Sequence, residues 1–173
     1  MTDIVLIGMP GCGKSTAGVL LAKTVGKAFV DTDVVLQAKE GKKLQPMIEE
    51  IGIEAFLDKE QNAILSLTCD HTVIATGGSV IYGAEAMKHL HSHGVVVYIK
   101  LPYAEIQKRL SNLSTRGVTL KEGQTLLDLY NERIPLYEAS ADLICDADGL
   151  QIEETVARIA ALVDEYCEAE HGV

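Results

Sequence analysis

The sequence predicts an α/β fold in which one doubly wound, five-stranded parallel sheet lies between two layers of helices. Apolar runs without alternation, typical of strands buried on both faces, recur at 4–7, 72–76 and 95–99. Segments with the apolar spacing of helices separate these runs. A glycine-rich loop joins the first strand to the first helix. Together these features indicate repeated strand–helix units, which form a parallel sheet.

The first half of the chain contains three strands and three helices, predicted at 4–7, 14–25, 27–33, 46–51, 53–67 and 72–76. Gly26 and Gly52 each end a helix, because glycine readily adopts the left-handed conformation found there. Pro46 begins one, since proline is tolerated in a first helical turn.

The second half contains two strands and three helices, predicted at 95–99, 103–110, 124–137, 141–145 and 152–166. A further helix precedes the fourth strand and ends at His89, His91 and His93, where imidazolium suits the helix dipole. This alternate spacing does not favour a metal site at a helix end. The tail 167–173 is expected to fray.

Length and composition indicate one globular domain spanning residues 1–173. A net charge of −10 argues against nucleic-acid and anionic-membrane partners. The four cysteines are widely spaced, which suits reduced thiols and neither a zinc site nor a disulfide framework. No apolar run approaches the length of a membrane span. We expect a cytoplasmic monomer.

The motif Gly8-x-x-x-x-Gly13-Lys14-Ser15 is a P-loop. Its glycines let backbone N–H groups point at phosphate oxygens, and the following helix N-terminus strengthens this anion site. Lys14 is expected to reach the β- and γ-phosphates, and the Ser15 hydroxyl to complete a Mg²⁺ coordination shell. The residues predicted to bind the nucleotide are Gly11, Cys12, Gly13, Lys14, Ser15 and Thr16. The absence of an Asn-Lys-x-Asp motif argues against a GTPase.

Two carboxylates, Asp31 and Asp33, end the predicted second strand. Ligands of open parallel sheets bind beyond the carboxyl ends of the strands, so both should face the P-loop crevice. One intervening residue would place both side chains on one side of an extended segment. One carboxylate could then hold the Mg²⁺ shell while the other accepts a hydroxyl proton. Alternatively, Asp-Thr-Asp only caps the next helix.

Two later segments add candidate site residues. Gly77 and Gly78 follow the third strand, where paired glycines indicate either a close backbone approach or a tight turn. Residues 111–123 have weak periodicity and contain two glycines. They are expected to form either a lid that carries Arg116 onto a transferring phosphoryl group or a long surface loop.

These motifs resemble those of the shikimate kinases along nearly the whole chain. The matching segments are 8–16, 31–33, Ala75–Gly78, Arg116 and Arg133-Ile-Pro-Leu-Tyr137. The resemblance implies a P-loop NTPase fold of the nucleoside-monophosphate-kinase type. It also implies transfer of the γ-phosphoryl group of ATP to a ring hydroxyl of shikimate, as a step of amino-acid biosynthesis.

On the nucleotide side, the resemblance implies that Lys14 contacts the phosphates as a catalytic cation while Ser15 and Asp31 hold Mg²⁺. Arg109 is expected to pack against adenine and Arg116 to act on the phosphates as the catalytic lid arginine. The implied cofactors are therefore ATP and Mg²⁺.

On the acceptor side, the resemblance implies that Asp33 contacts the reacting hydroxyl as the base. Gly77 and Gly78 are expected to bring backbone to the acceptor, and Arg133 to grip its carboxylate. The implied acceptor-binding segment is 33–60, and the implied partner is a small hydroxylated carboxylate.

Three positions depart from the family pattern. Leu57 replaces the arginine of Phe-Arg-x-x-Glu, Ser79 replaces the third glycine of Gly-Gly-Gly, and Arg116 is followed by Gly-Val-Thr in place of Pro-Leu-Leu. Lys59 lies about 200° round the helix from Leu57 and cannot simply substitute.

These departures leave three readings open. The acceptor is shikimate, or it is another hydroxy acid, a homoserine-like hydroxy amino acid or a sugar acid. In the third reading the chain is a nucleotide-binding regulator without turnover. Retention of Asp33, Arg116 and Arg133 favours an enzyme, because a sensor needs no acceptor-side base or carboxylate grip.

Overall fold

The computed structural model describes residues 3–111 and 118–171. Its strands are β1 (Asp3–Ile7), β2 (Ala28–Asp31), β3 (Thr72–Ala75), β4 (Gly94–Lys100) and β5 (Leu143–Asp146). They form one sheet in the order β2-β3-β1-β4-β5, and every neighbouring pair is parallel. The predicted five-stranded parallel sheet is confirmed.

The described helices are α1 (Lys14–Val25), α2 (Thr32–Glu40), α3 (Leu44–Leu65), α4 (Ala84–His93), α5 (Tyr103–Ser111), α6 (Leu126–Ser140) and α7 (Ile152–His171). Gly52 interrupts α3 with φ 80° and ψ 167°, at the predicted boundary between two helical segments. The expected fraying after Tyr166 was wrong, because α7 continues to His171. None of the described helices is both long and apolar enough to cross a membrane.

The winding of the chain places its two glycine-rich turns side by side. The β1–β2 and β3–β4 connections run in opposite directions along the sheet. Since such crossovers are right-handed, α1 and α4 lie on opposite faces, with α7 packed beside α1 and α3 beside α4. The topology therefore switches between the adjacent strands β1 and β3, where open α/β sheets bind ligands. The P-loop and Gly77–Gly78 leave the sheet at this point.

The apolar residues form two clusters of unequal size. The larger includes all four apolar residues of β1, Ile4 to Ile7, with β4 and the inner faces of the helices. The smaller joins α2 to α3 through Leu36, Met47, Ile48, Phe56 and Ala63. The α2–α3 segment, which overlaps the predicted acceptor-binding region, thus has a small core of its own.

Helix α1 lies unusually close to β2 at one glycine. A Cβ atom at Gly18 would lie 2.6 Å from Cε2 of Phe29, well inside van der Waals contact. The packing of the P-loop helix on the sheet therefore depends on the missing side chain.

We expect Gly18→Ala to lower the free energy of unfolding by about 1–2 kcal/mol, measured by urea denaturation. Overpacking costs about 1–3 kcal/mol, and a contact as short as 2.6 Å places Gly18→Ala in the upper half of that range, so the roughly 1 kcal/mol gained from the helix propensity of alanine does not offset it. In a Phe29→Leu background, where the ring is absent, the cost of Gly18→Ala should shrink by at least half. A Gly18→Ala protein as stable as wild type would contradict this account.

Candidate active site

A cavity of about 350 Å³ opens at the carboxyl edge of the sheet. Most of the predicted site residues line it: Gly11, Gly13, Lys14, Ser15, Thr16, Asp31, Asp33 and Gly78. Thr76 lines it from the end of β3, and Val34, Gln37, Lys43 and Leu44 line it from α2 and α3. The cavity therefore joins the P-loop to the α2–α3 segment. The predicted lid arginine, Arg116, lies outside the described residues.

The P-loop conformation requires its glycines. Gly8, Gly11 and Gly13 have φ values of 147°, 79° and 102°, and Gly13 is the N-cap of α1. The Lys14 ammonium is only 7% exposed and donates to the carbonyl oxygens of Gly8 and Met9, at 2.8 and 3.0 Å. The Lys14 side chain therefore folds back over the P-loop, where its ammonium can reach an anion bound by the N–H groups of the loop.

Cys12 turns away from the cavity. Its N–H donates to the carbonyl of Met9 at 3.2 Å, and its side chain is 4% exposed with Sγ 3.8 Å from the Lys14 ammonium. Contact between Cys12 and the nucleotide stays a prediction, and any such contact would have to come from its backbone.

The two aspartates are not arranged as the sequence predicted. Strand β2 ends at Asp31, whose Oδ1 accepts hydrogen bonds from the N–H groups of Asp33 (3.0 Å) and Val34 (3.3 Å). Asp31 is thus the N-cap of α2, and Asp33 lies in its first turn. The expected extended segment was wrong, because side-chain capping starts the helix at Thr32. Both aspartates nevertheless line the cavity.

Ser15 and Asp31 face the same cavity and offer hard oxygen ligands. No group of three or more His, Cys, Asp or Glu residues able to hold a metal ion occurs among the residues described. This sparse donor set fits Mg²⁺, which usually takes one or two protein ligands and fills its shell with water and phosphate oxygens.

The turn after β3 has no room for side chains. A Cβ at Gly77 would lie 2.1 Å from Oε1 of Glu60 and 2.8 Å from Oδ1 of Asp33. A Cβ at Gly78 would lie 2.7 Å from Cδ of Pro10 and 3.0 Å from Nη1 of Arg133. The two glycines therefore bring the predicted base, the predicted carboxylate-binding arginine and the P-loop together.

Arg133 is buried on the far side of this turn, at 1% exposure. Its Nη2 donates to Oγ1 of Thr119 at 2.5 Å, and its Nε donates to the Tyr82 hydroxyl at 3.4 Å. The guanidinium also lies over the Tyr82 ring, 5.3 Å from its centre. These contacts fix the orientation of Arg133, and its grip on a carboxylate stays a prediction.

Arg109 lies against the outer side of the P-loop. Its Nη1 donates to the carbonyl of Cys12 at 3.3 Å, and its Nε lies 4.0 Å from a carboxylate oxygen of Glu105. Arg109 thus lies next to Gly11 and Gly13, and its contact with the nucleotide base stays a prediction.

The rings of His89 and His93 lie against each other, with centroids 4.5 Å apart, whereas His91 has a different partner. A ring nitrogen of His89 lies 3.3 Å from the carbonyl of Leu67, and one of His93 lies 2.9 Å from the carbonyl of His89. His91 lies 3.5 Å from the carboxylate of Asp142. They belong to the end of α4 and do not line the cavity.

Sequence reasoning missed the buried position of Glu60, which is 4% exposed. Its Oε2 accepts a hydrogen bond from the Ser79 hydroxyl at 2.7 Å, whereas its Oε1 has no partner in the described part of the chain. Burial first, and the charge of Asp33 to a smaller extent, raise the pKa of Glu60 from the ordinary 4.5 to about 7 despite the lowering effects of Ser79, Arg133 and Lys14. Its spacing could have revealed this, because Glu60 is four residues from both Phe56 and Ile64 on the buried helix face.

The shikimate kinase family model matches residues 10–164. A shikimate kinase of Thermodesulfovibrio yellowstonii is 35% identical, and the alignment covers 99% of each chain. The structure of an Acinetobacter baumannii shikimate kinase in complex with shikimate superimposes with a TM-score of 0.88 at 28% identity, over 96% of this chain and 94% of that one. An Aquifex aeolicus shikimate kinase gives a TM-score of 0.81 at 28% identity, over 95% of this chain and 98% of that one.

The Glu60 carboxyl should make stability depend on pH. Its folded pKa of about 7 lies above the ordinary 4.5, so the folded state favours the protonated form. Its contribution to stability is fully present below pH 4.5 and is lost as the pH rises through 7. Because Glu60→Gln mimics the neutral form, the variant should gain up to about 3 kcal/mol over wild type between about pH 5 and pH 8.

The measurement is the free energy of urea unfolding of both proteins at each pH. Glu54→Gln, an exposed change on the same helix, serves as the control and should leave the pH dependence unchanged. Parallel stability curves for wild type and Glu60→Gln would show that Glu60 is ionised throughout this range.

Proposed function

This chain belongs to the shikimate kinase family, and from that premise we propose that it transfers the γ-phosphoryl group of ATP to a ring hydroxyl of shikimate, giving shikimate 3-phosphate. The protein is a small-molecule kinase, and the reaction of its family belongs to aromatic amino-acid biosynthesis. The observation that carries the proposal is the meeting of the P-loop, Asp33 and Arg133 at Gly77–Gly78.

The phosphate end of the cavity is built for electrostatic stabilisation. The ammonium of Lys14, now bonded to carbonyl oxygens of Gly8 and Met9, can exchange them for the β- and γ-phosphate oxygens of ATP. The N-terminus of α1 adds N–H donors directed at the same anion. Mg²⁺ held by Ser15 and Asp31 would neutralise phosphate charge when ATP is bound. Arg116 and Arg109 complete this proposed nucleotide site.

At the acceptor end, we assign proton abstraction to Asp33. It faces the cavity in the first turn of α2, with its Oδ1 beside Gly77. A carboxylate in this position can take the proton of the attacking hydroxyl while the hydroxyl oxygen bonds to the γ-phosphorus of ATP and the bond from that phosphorus to the bridging oxygen breaks, releasing ADP. The backbone of Gly77 and Gly78 would contact the shikimate ring, and Arg133 would bind the shikimate carboxylate.

The cysteines described, Cys12, Cys69, Cys145 and Cys167, are all free thiols, which supports the proposed cytoplasmic location.

A different acceptor is the second candidate, and the surroundings of Leu57 favour it. Leu57 lines a small cavity of about 10 Å³ together with Glu60 and Ser79. Leu57 is not among the residues that line the main cavity, and its apolar side chain supplies no positive charge for a carboxylate. The deciding assay is ADP release with shikimate, other hydroxy acids, homoserine and sugar acids. Turnover of one of the others in preference to shikimate would select this candidate.

Replacing Lys14 should abolish phosphoryl transfer without unfolding the protein. We expect Lys14→Met to reduce kcat by several powers of ten, because it removes the one loop cation that stabilises transferring charge. The readout is shikimate-dependent ADP release, with a thermal melt to verify folding. Lys23→Met, an exposed change in the last turn of α1, is the matched control and should keep wild-type activity. A kcat of Lys14→Met within about tenfold of wild type would refute the P-loop assignment.

Adding a guanidinium at position 57 should strengthen binding of the acceptor carboxylate. We expect Leu57→Arg to raise kcat/KM for shikimate about tenfold or more, since a charge-assisted hydrogen bond is worth roughly 1.5–3 kcal/mol. Leu57→Met, which keeps an apolar side chain at this position, should leave kcat/KM for shikimate nearly unchanged. If wild type already uses shikimate efficiently and Leu57→Arg brings no gain, the altered-acceptor candidate is wrong. Another residue then supplies the carboxylate contact that the arginine makes in the family pattern.

A further inference from the structure

Lys43 lines the main cavity from the start of α3, whereas Lys14 lines it from the P-loop. It precedes α3 as its N-cap, with φ −73° and ψ 155°, and its side chain makes no capping hydrogen bond. Gln37 and Leu44 lie beside it on the same wall. This lysine is therefore placed towards the acceptor end of the cavity and serves no local role in starting the helix.

The ammonium of Lys43 has no ion-pair partner within residues 3–111 and 118–171, and the side chain is exposed. Its neighbour Lys42 differs, since its ammonium lies 2.5 Å from the carboxylate of Glu50. Lys59, the other cation near Leu57 in sequence, is held 2.7 Å from Glu40. Lys43 is thus available to a ligand in a way that these two lysines are not.

Apart from Lys43, the main cavity has little accessible positive charge on its acceptor side. Lys14 and Lys43 are the cations among the described residues that line the cavity, and Lys14 lies at the phosphate end. Arg133 is 1% exposed and already donates to Thr119 and Tyr82. A carboxylate in the cavity between Asp33 and α3 therefore meets Lys43 as the exposed cation, and the N-terminus of α3 favours an anion at the same place.

We propose that Lys43 is a specificity-determining residue whose ammonium pairs with the carboxylate of the bound acceptor. The inference rests on the proposed function, and it names a second cationic contact that Leu57 does not provide. With Asp33 on the same cavity as the base, the acceptor would lie with its hydroxyl towards the P-loop and its carboxylate within reach of α3.

The kinetic test separates acceptor binding from nucleotide binding. We expect Lys43→Ala to raise the KM for shikimate about three- to tenfold, with the KM for ATP within twofold of wild type. Lys43→Arg should restore most of the loss, and Lys42→Ala is the matched control, expected to behave as wild type. A shikimate KM within twofold of wild type overturns the proposal, as does an equal rise in both KM values, which would indicate a phosphate contact.

Chemical labelling provides a readout that needs no turnover. The wild-type protein is acetylated with limiting reagent, with and without saturating shikimate, and lysine modification is quantified by mass spectrometry. Shikimate should slow the labelling of Lys43 at least threefold and leave Lys42 unaffected. Equal labelling of Lys43 in both samples overturns the inference whatever the kinetics. Protection of Lys43 in a protein that does not phosphorylate shikimate would reject the proposed function and retain this contact.

Discussion

The close approach of four groups at Gly77 and Gly78 is the constraint on which the site depends. Asp33, Glu60, Pro10 and Arg133 all come so near this turn that a single methyl group at either glycine would overlap one of them. Such an approach is possible because β3 lies directly beside β1, where the winding of the sheet reverses. The P-loop and the acceptor turn are therefore held together by the central strands and not by flexible loops.

This convergence buries ionisable groups that would be more stable in water. Glu60, Arg133 and Lys14 are 4%, 1% and 7% exposed. Different interactions lower the free-energy cost of burying each of these three side chains. Arg133 has hydrogen bonds and the face of Tyr82, Lys14 has two loop carbonyls, and Glu60 has its pKa raised to about 7 by burial. The fold thus accepts the cost of burying ionisable groups at and beside the turn where the P-loop meets the end of β3.

The sequence predicted those features that local patterns determine. The strands, the P-loop and the helix break at Gly52 follow from apolar runs and glycines, and the structure agrees with all three. For Asp31 and Asp33 the sequence offered capping of the next helix only as an alternative, and the extended segment that it favoured was wrong, because capping by Asp31 outweighs continuation of the strand. Nor could it place Glu60 and Lys43 at the cavity, since their positions depend on how α3 packs against a turn distant in sequence.

Leu57, Ser79 and Glu60 line one small cavity, in which Leu57 and Ser79 depart from the family pattern while Glu60 matches it. The family resemblance places an arginine at 57, whereas here Glu60 is bonded to the neutral hydroxyl of Ser79 and lies beside an apolar side chain. A neutral donor stabilises a buried carboxylate less than a guanidinium does, so Glu60 can hold its proton near neutral pH. When Glu60 holds its proton, no arginine is needed beside it to balance a buried charge. On the proposal made for Lys43, the second positive charge that binds the acceptor beside Arg133 lies at the exposed N-terminus of α3 and not in its middle, so it needs no buried counter-charge.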